Sequence, residues 1–194
     1  MMKRILLTFL CGLSLMGTAC AQNGKSKSGV QGAAVSSGKG KTLVVYFSWG
    51  GTTKHLAEMI AFETGADIFS IEPADPYPTA YTLCTEVAKE ELDKGIYRAL
   101  KTKMPSLDGY DIIFIGSPVW WHTAAMIVQG AVKDIDFSGK TVVPFCTYAA
   151  TYRDETLAKI AELTPRAKHL KSYGTTSPDS ASIRRWLLEI GIAK

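Results

Sequence analysis

With 194 residues, an apolar share of 46% and a charged share of 21%, the chain has the composition of a single globular domain able to bury one core. Its formal charge of +4 is small, and no basic run with interleaved aromatics occurs, so nucleic-acid binding has no support.

The chain opens with Met1-Met2-Lys3-Arg4, a charged n-region, followed by an apolar stretch from Ile5 to Met16 that is too brief for a comfortable membrane span. Gly17-Thr18-Ala19-Cys20 resembles a bacterial lipobox ending in the cysteine that would be lipidated, with Gly17 where leucine is usual. Ala19-Cys20-Ala21 also satisfies a small-x-small site for ordinary signal peptidase. The expectation taken is a lipoprotein signal over 1–20, export to the periplasm, and a lipid anchor on Cys20. Loss of Lys3 and Arg4 would leave 20 basic against 18 acidic residues. Residues 21–40 are rich in Gly, Ser, Lys and Ala, with no aromatic and no acidic side chain, and are expected to be a flexible linker. The folded domain is then 41–194, which keeps only Cys84 and Cys146. These two either pair in an oxidising compartment or serve as small buried apolar side chains, and the second is the simpler expectation.

In the folded body, Thr42 to Phe47 reads as a first strand, emptying into Ser48-Trp49-Gly50-Gly51-Thr52-Thr53-Lys54. Helical spacing follows from roughly Thr53 to Thr64, closed by Gly65. A second strand spans Asp67 to Ile71, and Pro73, Pro76 and Pro78 make the next segment a loop. A long helix is expected from about Tyr81 to Leu100. Asp111 to Ile115 is a third strand, apolar enough to be buried on both faces, ending in Gly116-Ser117-Pro118-Val119-Trp120-Trp121-His122. A helix over about 124–132, a fourth strand over 140–145 weakened by Pro144, a helix over about 155–162 and a weaker fifth strand from His169 to Tyr173 come next. A last helix after Asp179 carries Ile183, Trp186, Leu187 and Ile190, with Trp186 in the core. This alternation implies a five-stranded, doubly wound parallel sheet with helices on both faces; of the common orders for such a sheet, 2-1-3-4-5 is the expectation taken. Ligand belongs at the switch point between the loops after the first and third strands.

Those two loops have unusual compositions. In the first, Gly50 and Gly51 allow close backbone approach, the hydroxyls of Ser48, Thr52 and Thr53 can donate, and a helix N-terminus follows; together these suit a terminal phosphate held without an arginine clamp. The same residues also suit an ordinary capped turn. The spacing matches neither the Walker loop nor the dinucleotide fingerprint. In the second loop, the adjacent Trp120 and Trp121 suit stacking on a flat ring, although either can equally be a core residue under the following helix. His122 reads as a surface residue. The loop after the fourth strand, Thr147-Tyr148-Ala149-Ala150-Thr151-Tyr152, adds hydroxyl and aromatic groups at the same edge.

These segments, together with Phe137-Ser138-Gly139-Lys140 and Pro144-Phe145-Cys146-Thr147, resemble the flavodoxin family, and more closely its short branch in bacterial exported proteins. The resemblance implies FMN as cofactor, with Ser48, Trp49, Gly50, Gly51, Thr52 and Thr53 around its phosphate. Pro118, Val119, Trp120, Trp121, Thr147 and Tyr148 would flank its ring, with backbone N–H groups of 119–121 as donors to the ring edge. The third loop departs from the branch, carrying Tyr148-Ala149-Ala150 where glycines and a serine are usual. Three functions stay open: an electron carrier serving a redox partner protein or small acceptor, an FMN-dependent NAD(P)H quinone or nitro reductase, and a flavin-free binding module. A response-regulator receiver is excluded, because it needs acidic residues where Ser48-Trp49-Gly50 and Gly116-Ser117-Pro118 stand.

Overall fold

The computed structural model describes residues 40–192; the expected leader, most of the linker and Cys20 lie outside the described residues. The first strand, β1 (Lys41–Tyr46), alternates its side chains between two cores: Leu43 and Val45, with Phe47 beyond the strand, enter one, and Val44 and Tyr46 enter the other. That is the period of a central strand buried on both faces. It leads through the 47–51 turn into α1 (Thr52–Thr64), which Gly65 ends in a left-handed cap at φ 68°, its N–H bonded to Ala61 O. β2 (Asp67–Ser70) lies parallel to β1 at the sheet edge.

Two expectations are corrected in the middle of the chain. The second helix, α2 (Tyr81–Lys94), stops well before Leu100. Gly95, at φ 65°, caps it with its N–H on the carbonyls of Glu91 and Leu92, and the left-handed turn outweighs the apolar residues beyond that mimic helical spacing. Leu100 instead bridges back to Pro73. The third strand, β3 (Tyr110–Trp120), runs on past Ile115 and turns into a two-residue hairpin with β4 (Thr123–Ala124). α3 (Met126–Val132), β5 (Thr141–Thr147) and α4 (Arg153–Glu162) follow.

The fifth strand is two strands, β6 (Lys168–His169) and β7 (Tyr173–Thr175), so the sheet has seven strands rather than five. Its parallel positions keep the expected order, β2-β1-β3-β5-β6, with β7 also on β5 and β4 antiparallel to β3. The split has a local cause. β6 pairs with Thr141 and Val142, β7 with Phe145 to Thr147, and the gap falls opposite Val143 and Pro144. Pro144 has no N–H to offer a neighbour there. The carbonyl of Lys171, inside the gap, accepts a hydrogen bond from Trp186 Nε1 at 2.8 Å instead.

Trp186 sits on α5 (Ser180–Glu189), stacked on Tyr173 and edge-on to Phe114, which confirms its place in the core. Asp179 caps this helix by accepting from the Ser182 N–H at 2.8 Å. Helices α1 and α5 cover one face of the sheet, and α2, α3 and α4 the other. The loops leaving β1, β3 and β5 thus emerge side by side at one edge.

Candidate functional site

Those three loops enclose a cleft of about 700 Å³. Eleven of the twelve sequence-derived candidates line it: Ser48, Trp49, Gly50, Thr52, Thr53, Pro118, Val119, Trp120, Trp121, Thr147 and Tyr148. Gly51 does not. It is the N-cap of α1 at φ 91°, and its N–H donates to Ser48 Oγ at 3.1 Å, so it shapes the turn.

The first wall is a helix start left open. No side chain caps α1 and no acidic residue lies in its first turn. The first intrahelical bond runs from His55 N–H to Gly51 O at 2.9 Å, which leaves the N–H groups of Thr52, Thr53 and Lys54 without helical acceptors. Ser48 Oγ accepts from Gly51 and keeps its own hydrogen to donate. Thr53 is different: buried, its Oγ1 lies 2.7 Å from Thr147 Oγ1, tying the start of α1 to the end of β5. One hydroxyl of that pair must donate to the other, so the pair as a whole presents one remaining hydrogen.

The second wall is the hairpin. Trp120 packs edge-on against Phe47 and Tyr77 at ring distances of 5.3 and 4.9 Å, so the core claims most of it while an edge lines the cleft. Trp121 and His122 form the turn itself at φ 48° and 71°, a left-handed conformation that costs bulky residues energy and is held by the contacts of their side chains. Trp121 Nε1 donates to Thr85 O at 2.9 Å, and the His122 ring stacks on Tyr152 at 3.7 Å. The hairpin narrows the set of backbone donors. The two-residue turn commits the Trp120 N–H to Thr123, and the Pro118↔Thr147 pairing, lacking a proline N–H, commits that of Val119. Of residues 119–121, Trp121 alone has its N–H free of both ladders.

The third wall runs from Thr147 to Tyr152, with Tyr152 at φ 64° as the N-cap of α4. Sequence reasoning missed the fourth wall, the start of α2: Tyr81, Cys84, Thr85 and Ala88 line the cleft. The small side chains at 84, 85 and 88 make room beside the two indoles, but in sequence they look like ordinary helix positions. Trp49 joins this wall, donating from Nε1 to Pro78 O at 3.0 Å, with its ring 6.4 Å from that of Tyr81.

Among the described residues, no lysine or arginine lines the cleft. A charge network lies behind the fourth wall, where Glu91 accepts from Tyr77 OH at 2.6 Å and from Arg98 Nε. Burial and that carboxylate push the Tyr77 hydroxyl far above its usual range. Burial, seconded by Glu91, also raises the Cys84 thiol, and burial pushes Cys146 up to about 12. Both cysteines are free and buried, as the simpler expectation had it. The donor set, neutral N–H and hydroxyl groups at a helix start with flat aromatic surfaces in the same cleft, fits a ligand that joins a phosphate to a planar ring.

A family model described as flavodoxin matches residues 41–187. A flavoprotein structure from Bacteroides eggerthii DSM 20697 is 31% identical, covers 78% of this chain and 98% of its own, and superimposes with a TM-score of 0.71. One from Bacteroides uniformis ATCC 8492 is 29% identical, with coverages of 77% and 98% and a TM-score of 0.68. A Lactobacillus acidophilus NCFM flavoprotein solved in complex with FMN shares the fold at 21% identity, coverages of 76% and 99% and a TM-score of 0.63. No curated protein matches. With an open helix start after β1, a tryptophan hairpin after β3 and the matching model spanning all but the end of the folded body, the chain belongs to the flavodoxin family.

Proposed function

We propose that the chain binds FMN in this cleft and works as an exported electron carrier. The observation that carries the reading is the joining, in one 700 Å³ cleft, of the open α1 start with its hydroxyls and the aromatic residues Trp121, His122, Tyr148 and Tyr152. FMN on the same fold in the Lactobacillus acidophilus neighbour supports it. Bound FMN supplies one- and two-electron transfer. The chain's own part is binding and tuning. Ser48 Oγ, Thr52 and the free N–H groups of Thr52 to Lys54 hold the phosphate, helped by a helix-end charge of roughly +0.5. The Trp121 N–H is the donor to the ring edge. The aromatic walls exclude water and disfavour added negative charge, which lowers the reduction potential. Residues 1–20 supply export and, through Cys20, the membrane anchor.

The open side of the cleft along α2, where Tyr81 is 73% exposed, favours a second reading as a reductase that takes a flat acceptor such as a quinone or nitro compound. The test is the visible spectrum of the purified protein with added FMN. Shifted flavin bands and quenched fluorescence at micromolar concentrations are expected. An unchanged spectrum refutes FMN binding and leaves the flavin-free module. Where the spectrum shows bound FMN, steady-state turnover with NADH or NADPH decides carrier against reductase.

A further inference from the structure

Three of the four tryptophans converge on one short segment. Trp49 donates to Pro78 O, Trp121 donates to Thr85 O, and Trp120 packs on Tyr77. The aromatic surface of the cleft is therefore only as well placed as residues 77–85. Yet α2 has little apolar anchorage: its buried side chains are Cys84, Ala88 and Glu91, two small residues and a carboxylate, with Val87 partly buried against the same core. Apolar burial alone locates such a helix poorly, because small side chains offer little area and no direction.

Directional contacts take over. Glu91 binds Tyr77 OH with one oxygen and Arg98 Nε with the other. Arg98 Nη1 also donates to Asp75 O at 2.7 Å and to Asp75 Oδ2 at 3.2 Å, and its guanidinium lies 4.2 Å over the Tyr77 ring. The loop before α2 and the strand-like stretch after it are thus both clipped to the body of α2 at one buried carboxylate. We propose that the Glu91–Arg98 pair, through Tyr77, is a positioning device for the cleft: it fixes the carbonyls of Pro78 and Thr85 and thereby the indoles of Trp49 and Trp121. A buried ion pair contributes little net stability against an apolar pair of like volume, but a hydrogen-bonded fork specifies one geometry. The device rests on the cleft's geometry and not on what the cleft binds.

Trp186 gives an internal control, since its indole N–H is bonded to Lys171 O on the opposite face of the sheet. The experiment measures solvent-exchange rates of the indole N–H protons by NMR in the full chain without added ligand. The variants are Glu91→Gln, Arg98→Met and the double variant Glu91→Met/Arg98→Met. In the single variants, exchange at Trp49 and Trp121 is expected to rise by about tenfold or more, equivalent to about 1.4 kcal/mol of lost local protection, while Trp186 stays within about twofold. The double variant is expected to hold Trp186 at its wild-type rate and still leave Trp49 and Trp121 fast, because an apolar pair restores burial but not the fork. Equal acceleration at all three indoles overturns the proposal in favour of a general stability role. Wild-type rates at Trp49 and Trp121 in a folded double variant overturn it too, even if the single variants do not fold. Since no flavin is used, failure here is distinguishable from failure to bind FMN.

Discussion

The substitution Gly116→Ala tests the sheet edge that carries the cleft. A Cβ on Gly116 would lie 2.1, 2.3 and 2.7 Å from three atoms of the Phe145 ring. Ordinary contact begins near 3.4 Å, so the ring would have to retreat by at least 1.3 Å. It has nowhere to go: Phe145 is fully buried among Val44, Tyr46, Leu56, Phe114 and Trp186. Overpacking of this kind costs about 1–3 kcal/mol, and a fully enclosed ring places the cost near the upper end. For a domain of this size about 2–3 kcal/mol lowers Tm by roughly 5–10 °C. Phe145 stands two residues before Thr147, whose hydroxyl meets Thr53, so ligand affinity should fall as well. The assay is thermal unfolding by circular dichroism, with Gly116→Ala/Phe145→Leu as the compensating variant. Most of the loss should return in the double variant, since leucine vacates the space that Cβ needs. A single variant within about 0.5 kcal/mol of wild type, or a double variant no better than the single, would refute the steric argument.

The remaining predictions bear on the cleft, the pH response and the core. Ser48→Ala removes a free hydroxyl donor and should weaken FMN, read by flavin fluorescence titration, by about tenfold, while riboflavin, which lacks the phosphate, is unaffected. The Asp179 carboxyl is held below its usual range by the backbone N–H of Ser182, so its contribution is present above the unfolded pKa near 4 and is lost as pH falls through the folded value. Asp179→Asn keeps the cap but should flatten the fall of Tm below about pH 4, and an unchanged acid limb would count against the assignment. Cys84 and Cys146 should resist a thiol reagent at pH 8 in the folded protein, Cys146 because its pKa is about 12, and react only in denaturant; peptide mapping distinguishes them from Cys11 and Cys20. Trp186→Phe orphans the Lys171 carbonyl in the gap between β6 and β7, and should lower stability by about 2 kcal/mol in urea unfolding.

Much of this molecule was determined by sequence alone. Alternating apolar residues in β1, helix-period residues in α1 and glycine caps are local signals, and a doubly wound sheet is the packing that satisfies all of them together. The two loops with odd composition mark the cleft in the sequence itself, because a topological rule brings the ends of parallel strands to one edge. Tertiary structure decided what local signals cannot express. How much of Trp120 and of Trp121 faces the cleft depends on a left-handed turn at Trp121 and His122 that neither turn residue favours by itself, and the hairpin's pairing selects it. The break in the fifth strand follows from Pro144 in its neighbour, a cause lying on a different strand. The α2 wall is hidden in the sequence because small side chains signal nothing until the indole of Trp121, from another loop, is bonded to that helix at Thr85. Local chemistry writes the elements, while long-range hydrogen bonds and buried charge choose which of their surfaces meet.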